Sequence, residues 1–486
     1  VNNVLLDLVA VAFVIVATAL IGIYGLRVSR TTSDFFVASR TVRPLWNASA
    51  ISGEYLSAGT FLGLSGLVLL GGSEGFWFPI GYAAGYLLVL LFIAAPLRRS
   101  GAYTIPDFIE ARLESRRARR ITSAACLLIG WLYIVPQLHG AGITLQVVAD
   151  IPPWVGAVLV AVLVAAAAAA GGMRAITYVQ AFQYWLKLTA LLVPAILIVF
   201  AVNGGAQEID PAVVFPAEAG PSAIDAYSSG SLLLALLLGT MGLPHVLVRF
   251  YTSPTGGSAR RTTVLVIVMV SAFYAVSSVI GLLARVVAPD LASPGVADTV
   301  ALVLPARVFP GLVGEVLTAL VVAGAFAAFL ATSAGLTVSL AGVISQDVFS
   351  GSVRSFRVSA LVCAAVPLGI ALLTVPAGLV ASVGLVFLFA ASSLSPVLLL
   401  AVWWRRLTAR GAVTGMVTGA VSCGLALLVH AAVGGVGAAA PLLEQPAAWT
   451  IPLATAVTVL VSLTDRSGPP TRTGPYLARL HTPERG

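Results

Sequence analysis

Charge is what this sequence has little of. Of its 486 residues only 9% are Asp, Glu, Lys or Arg, while 59% are hydrophobic; an ordinary soluble domain carries ~25% charged residues. So little charge cannot cover a surface facing water, which excludes a soluble globular domain and leaves a polytopic, all-α membrane protein. Lysine is nearly missing: of 27 basic residues, Lys187 is the one lysine and the rest are arginine. The net charge of +8 sits in short stretches between apolar runs, where it reports orientation in a bilayer rather than a nucleic-acid partner. The three cysteines, Cys126, Cys363 and Cys423, lie far apart inside apolar runs, so neither a disulfide framework nor a metal cluster is expected. No basic stretch precedes the first apolar run, which holds Asp7 near its start, and a cleaved signal peptide is not expected. Walker motifs, Gly-rich nucleotide fingerprints and Ser/His/Asp sets are lacking as well. No enzyme chemistry and no organic cofactor are therefore expected, and uphill movement of a solute would have to draw on an ion gradient.

What is present is a series of apolar windows separated by turn and charge signals. They predict thirteen spans near 4–26, 46–70, 75–97, 120–147, 154–172, 176–203, 229–250, 262–287, 310–346, 357–376, 379–404, 412–434 and 447–464. Arginines crowd alternate connections: 27–43, 98–120, Arg174, Arg260 and Arg261, Arg354 and Arg357, 405–410 and the tail. The opposite set holds little more than Arg285 and Arg307, and its segment 204–228 is acidic without a base. The positive-inside rule puts the N-terminus outside and the C-terminus in the cytoplasm, as an odd number of spans requires. Residues 1–465 read as one transmembrane domain, and 466–486 as a short cytoplasmic tail.

Two spans have the wrong middles. In 44–70, PLWNASAISGEYLSAGTFLGLSGLVLL, the residues Ser49, Ser52, Gly53, Glu54, Ser57, Gly59 and Thr60 stand where Leu or Val belongs. Glycine lowers helix propensity, and Ser/Thr hydroxyls can take over freed backbone groups. In 229–250, the run Gly239–Pro244 interrupts the helix, because proline removes a hydrogen bond and clashes with the preceding turn. Irregular backbone at membrane depth survives only where protein or a wet cavity receives it. Small residues alone would suit close helix packing as well, and a proline kink can be geometry alone; a carboxylate in mid-span, Glu54, makes the first break a site candidate. Two broken helices, each opening a block of five spans, are the layout of an inverted repeat, here about 44–203 and about 229–405, flanked by helices 4–26, 412–434 and 447–464.

Three further features bear on chemistry. Thr332, Ser333, Thr337 and Ser339 set hydroxyls along two turns of the ninth span, hard donors that suit an alkali cation, although such hydroxyls usually bond back to their own helix. His139 and His245 lie near the breaks without Cys or carboxylate partners at ligand spacing, so packing or hydrogen bonding is the plainer role for them. Lys187 lies too deep in its span to snorkel. It could attract an anion, pair with Glu54, or sit in a cation's place.

The stretch DFFVASRTVRPLWNASAISGEYLSAGTFLGLSG at 34–66 resembles the start of the sodium:solute symporters, AYTIPDFIEARL at 102–113 is similar to their loop after the third span, and GGMRAITYVQ at 171–180 to their fifth-to-sixth-span junction. Within that family, GLPHVLVRFYT at 242–252 and SGEYLSAGTFLG look most like the acetate-permease, or monocarboxylate, branch. The resemblance implies a LeuT-type 5+5 inverted-repeat fold with 13 transmembrane helices, and symport of a short-chain monocarboxylate with Na⁺ or H⁺ across the plasma membrane. It further implies that a cation binds at Gly53, Leu56, Ala328, Ala331, Thr332 and Ser333. Two departures stand out. Sugar and proline members carry a second hydroxyl where this chain has Ala331, and an Asp on the sixth span where it has Gln180. Fewer hard donors and one less negative charge weaken a sodium site unless Ser333 or Glu54 compensates, and keep proton coupling open, with Glu54, Lys187, Gln180 or His139 as positions bearing on charge. For the substrate carboxylate, free N–H groups where the second and seventh helices restart, with Ser52, Glu54, Tyr55, Ser57, Gln137, His139, Thr240 and His245, are the candidates. The partners expected are the small carboxylate and the lipid bilayer, with no nucleic acid and no obligate protein. Another small solute such as an amino acid, or a sensor that binds without transporting, are the alternative readings.

Overall fold

The computed structural model describes residues 4–28, 38, 41–204, 223–349, 351–375, 378–434 and 439–483. Most of the acidic segment 204–228, together with Arg30, Arg40 and the opening residues of the 34–66 motif, lies outside the described residues. The described chain is helical throughout. In order, its helices are α1 (Val4–Val28), α2 (Pro44–Tyr55), α3 (Leu64–Gly71), α4 (Trp77–Leu88), α5 (Ala94–Ser100), α6 (Ile105–Leu113), α7 (Arg116–Ala149), α8 (Pro153–Gly204), α9 (Ala223–Gly242), α10 (Pro244–Val248), α11 (Gly256–Val287), α12 (Val300–Val308), α13 (Leu312–Asp347), α14 (Val353–Leu373), α15 (Leu379–Ser393), α16 (Ser395–Trp403), α17 (Ala409–Val433), α18 (Ala440–Glu444), α19 (Ala447–Thr464) and α20 (Thr473–His481).

Among the described residues, eleven helical stretches are long and apolar enough to cross a bilayer, and two sharply bent helix pairs raise the number to thirteen. These are the spans the hydropathy pattern predicts, with ends that shift by a few residues. Hydrogen bonding in α8 is helical from Pro153 to Gly204. At 1.5 Å per residue this is roughly 78 Å of helix measured along the chain, more than twice a hydrocarbon core of ~30 Å, and it supplies two crossings, Pro153–Ala170 and Met173–Gly204. What hydropathy does not announce are the short connecting helices α6, α12, α18 and α20. Helix α6 starts with a capping box: Thr104 Oγ1 accepts from the Asp107 N–H at 3.2 Å, and an Asp107 carboxylate oxygen accepts from the Thr104 N–H at 3.0 Å.

The helices sort by exposure. On α1, Leu5, Val9, Phe13, Val16, Leu20 and Ile23 recur at helical spacing and are exposed, as a face turned to hydrocarbon should be. On α13 every residue from Val321 to Ser345 is buried, so this helix is surrounded by protein on all sides. Helix α13 packs against α8, α7, α14, α1 and α2. The two broken helices lie beside this central rod.

Candidate functional site

The first break falls at Leu56 and Ser57. Helix α2 ends at Tyr55, Leu56 is extended (φ −74°, ψ 90°), and the chain resumes through a π-helical turn, Gly59–Gly63, into α3. The two halves meet at 77°. The second break is a single extended residue, Leu243 (φ −80°, ψ 112°), after which Pro244 opens α10. Proline suits that place because its missing N–H belongs to a turn that has no helical partner for one. The chain then tightens into a 3₁₀ turn, Arg249–Thr252. A third interruption, at Leu394 ahead of Pro396, bends α15 against α16 by 40°.

Four freed backbone groups of the first break find partners on other helices, as burial at membrane depth favours. The Ala58 N–H donates to Gln137 Oε1 of α7 at 2.7 Å. The Glu54 carbonyl accepts from Thr332 Oγ1 of α13 at 2.6 Å. The carbonyls of Gly53 and Leu56 both accept from Lys187 Nζ of α8, the latter at 2.8 Å. Close approach makes this possible: a Cβ on Gly53 would lie 2.2 Å from the Gln180 carbonyl oxygen, so only glycine lets α2 come this near to α8.

A buried charge cluster surrounds the break. Arg249 Nε donates to Glu54 Oε2 at 2.6 Å, and both side chains are nearly inaccessible. The rest of the guanidinium donates to Thr177 Oγ1 at 2.9 Å and to Gln180 Oε1. Gln180 Nε2 donates to the Ala331 carbonyl at 2.7 Å and approaches Glu54 Oε2 at 3.4 Å. The Glu54 carboxylate leans on Gly335, where a Cβ would lie 2.1 Å from its Oε1. Three ionisable side chains, two basic and one acidic, are thus gathered in a region of low dielectric. An Arg–carboxylate pair survives there because the remaining donors are also satisfied.

Beside the break lies an aromatic wall. Tyr55 contacts Tyr86 at a centroid distance of 4.7 Å, Phe387 contacts Tyr82 at 4.7 Å, and Tyr133 contacts His245 at 5.1 Å. Tyr55 Oη meets Thr240 Oγ1 and the Tyr82 carbonyl, each at 3.1 Å. Several buried polar atoms here have no hydrogen-bond partner among the described residues: Ser52 Oγ, Glu54 Oε1, both ring nitrogens of His245, Ser333 Oγ and Thr337 Oγ1. Since buried polar groups are normally paired, such a concentration needs an explanation. A cleft of about 210 Å³ is lined by Arg43, Trp46, Arg174, Tyr178 and Thr177, the residue whose hydroxyl accepts from Arg249.

The residues singled out in the sequence are placed as follows. Ser52, Gly53, Glu54, Tyr55, Leu56, Ser57, Gln137, Gln180, Lys187, Thr240, His245, Ala328, Ala331, Thr332 and Ser333 are all buried in the core around the two breaks. His139 is not brought there. Its Nε2 bonds the Ala371 carbonyl of α14 at 3.0 Å, because residues two apart on a helix face different sides and Gln137 takes the side toward the break. Four of the six residues that the resemblance assigns to a cation are engaged within the chain: Gly53 and Leu56 take Lys187, Ala331 takes Gln180, and Thr332 donates to Glu54, while Ser333 Oγ has no partner among the described residues. As arranged, that donor set does not fit a sodium ion. Sequence reasoning missed Arg249, Thr177, Gly335 and the aromatic wall. An arginine inside GLPHVLVRFYT, on the helix that restarts at Pro244, was the available signal for the first of these.

The profile of the Sodium:solute symporter family matches residues 35–419. A monocarboxylic acid transporter of Corynebacterium glutamicum is 32% identical over 478 residues, covering 90% of this chain and 85% of that protein. The uncharacterized symporter YwcA of Bacillus subtilis is 31% identical over 425 residues, covering 83% of this chain and 82% of its own. Among solved structures, a Na⁺-coupled sialic acid symporter in a substrate-bound outward-open state superposes with a TM-score of 0.75 at 17% identity, covering 95% of this chain and 98% of that one. A manganese transporter of Eremococcus coleocola gives 0.54 at 15% identity, covering 93% and 97%. The fold is the LeuT type that the broken helices suggest, and its relatives are transporters rather than enzymes. This multi-pass membrane protein belongs to the sodium:solute symporter family.

Proposed function

We propose that the protein is a secondary active symporter of the plasma membrane that imports a short-chain monocarboxylate, of the acetate, propionate or pyruvate class, together with a cation. The observation that carries this reading is the charge balance at the first break. Arg249 and Lys187 set two basic side chains beside one carboxyl group, Glu54, and all three are buried; with both bases protonated and Glu54 ionised, the site carries one net positive charge. A solute with a single negative charge, held between the break and the aromatic wall, completes the balance in a medium where an unmatched charge is costly. Its carboxylate oxygens would find the Ser52 hydroxyl and an imidazole N–H of His245, both lacking partners in the chain. Its short apolar tail would meet Tyr55, Tyr133 and Phe387. The 32% identity to a monocarboxylic acid transporter along 90% of the chain supports the same substrate class. Arginine-rich connections on one side support an outward N-terminus and a cytoplasmic C-terminus.

Exchange of labelled pyruvate into proteoliposomes preloaded with unlabelled acids tests the substrate class. Acetate, propionate and pyruvate inside should each drive uptake, and amino acids should not. Exchange driven by an amino acid and not by a monocarboxylate would replace this reading with the amino-acid alternative.

A further inference from the structure

We infer that Lys187 is the resident cation of the first helix break: its ammonium holds the place between the Gly53 and Leu56 carbonyls that the family resemblance gives to sodium, and transport by this chain does not use sodium there. The inference deepens the symport reading above and rests on it for the assay of transport. Its physical ground is the accounting of oxygens at the break. Interrupting α2 leaves the carbonyls of Gly53 and Leu56, like that of Glu54, without helical N–H partners, and the first two accept from Lys187 Nζ. A sodium ion at the same oxygens would have to displace the ammonium or stand against it, and two like charges in a buried site repel strongly.

The neighbouring donors point the same way. Sodium would need several hard oxygens with lone pairs facing inward. The Ala331 carbonyl is occupied by the Gln180 amide at 2.7 Å, and Thr332 Oγ1 points its hydrogen at the Glu54 carbonyl, 2.6 Å away; Ser333 Oγ, without a partner among the described residues, is one hard oxygen where several are needed. The chain has alanine at 331 and glutamine at 180, so neither supplies a further hydroxyl or negative charge.

Residue choice also fits the role. Lys187 is the one lysine among 27 basic residues, and it is fully buried within the crossing Met173–Gly204. A lysine ammonium is a compact charge with three donors on a flexible stem, able to sit among converging carbonyls, whereas the planar fork of arginine matches carboxylates. The site divides accordingly: Arg249 takes the Glu54 carboxylate, and Lys187 takes the carbonyls of the break.

Two measurements on the purified full-length chain test the assignment. In the first, thermal unfolding is followed in NaCl and in choline chloride at equal ionic strength, with no substrate present. The wild type should melt at the same temperature in both salts, since a ligand stabilises only a state that binds it. Lys187→Ala, which frees the two carbonyls, should gain a shift of a few degrees in NaCl. In the second, wild-type proteoliposomes should take up labelled pyruvate equally well with and without a sodium gradient, and should accumulate it under an imposed proton gradient. A sodium-specific rise in wild-type melting temperature, or wild-type uptake that needs sodium, would overturn the assignment, and either result is decisive even if Lys187→Ala does not fold. A folded Lys187→Ala that gains no sodium response would overturn it as well. Should the wild type exchange no monocarboxylate in any medium, the substrate reading fails, while the melting experiment still decides the role of Lys187.

Discussion

Arg249 Nε lies 2.6 Å from Glu54 Oε2, so the carboxylate beside the first break is neutralised by a residue of the 3₁₀ turn that follows the second. The two interrupted helices are joined at their functional depth by one buried ion pair. Asn47 extends the link: its Nδ2 donates to the Arg249 carbonyl at 3.3 Å, and its Oδ1 accepts from Thr252 Oγ1 at 3.2 Å. Any motion that parts the first half of the second span from the end of the seventh has to break this set together.

Removing both members of the pair should therefore cost far less than the two single removals added together. Glu54→Gln leaves Arg249 and Lys187 without a counter-charge, and the loss of one partner from a buried pair costs about 3–5 kcal/mol. The double variant Glu54→Gln with Arg249→Gln should be destabilised by clearly less than the sum of the single changes. Denaturation of the four purified proteins gives the coupling energy directly, and an additive result would mean that the pair does not act as a unit. Pyruvate uptake should be lost in Glu54→Gln; uptake at the wild-type rate would remove the carboxylate from the transport site.

Gly335 tests the same carboxylate from the opposite side. A methyl group there would lie 2.1 Å from Glu54 Oε1 and 2.6 Å from Gln180 Nε2, too close for either to remain. Gly335→Ala should displace Glu54 toward Arg249 and lower stability by about 1–3 kcal/mol, as overpacking of a filled interior does. On helix propensity alone the same change would be favourable by up to ~1 kcal/mol. The sign of the measured shift thus separates the steric effect from the intrinsic one.

Much of this architecture can be read in the sequence, for physical reasons specific to each element. Crossings are legible because a bilayer demands long apolar runs, and the breaks at Leu56 and Leu243 are legible because Ser, Gly, Glu and Pro are poor choices for a plain apolar helix. Other features depend on how segments fold back on one another. Arg249 stands at the end of its apolar window, where a charged residue usually meets the membrane surface. Only the restart at Pro244 carries it inward to Glu54. The bend at Leu394 is hidden because the Ser and Pro residues around it sit in an otherwise apolar run. His139 shows the reverse error, since proximity to Gln137 in sequence says little when two helical positions face different neighbours. Lys187 conveys its depth but not its partners, because backbone carbonyls leave no trace in a sequence.

Asp298 ties the connection between α11 and α12 to two other elements. Its Oδ2 accepts from the Leu379 N–H at the start of α15, at 2.8 Å, and its Oδ1 would lie 2.9 Å from a Cβ on Gly63 in the π-helical turn. A carboxylate at a helix N-terminus satisfies an orphan N–H and complements the helix dipole. Burial nonetheless pushes its pKa above the usual carboxylate value, with the Leu379 bond opposing that shift. Asp298→Ala should cost about 0.5–2 kcal/mol, in the range of a lost cap. Amide hydrogen exchange should quicken in the first turn of α15 and not in the middle of α13; equal protection in both proteins would show that the contact contributes nothing to holding α15.

Thr332 separates an ion ligand from a backbone clasp. Its hydroxyl donates to the Glu54 carbonyl at 2.6 Å, so Thr332→Ala takes a donor from a buried carbonyl at the break, a loss of about 1–3 kcal/mol. Because that hydroxyl is committed to backbone, uptake of pyruvate should fall by the same factor in sodium and in choline media. Thr332→Ser keeps the donor and should restore most of the activity and stability. A coordinated sodium ion would behave differently, with the half-saturating sodium concentration rising in Thr332→Ala and the loss shrinking at high sodium. Measuring uptake against sodium concentration for the wild type and both variants distinguishes the two roles: a sodium-dependent rescue of Thr332→Ala would assign the hydroxyl to an ion, and a uniform loss assigns it to the clasp that holds α2 against α13.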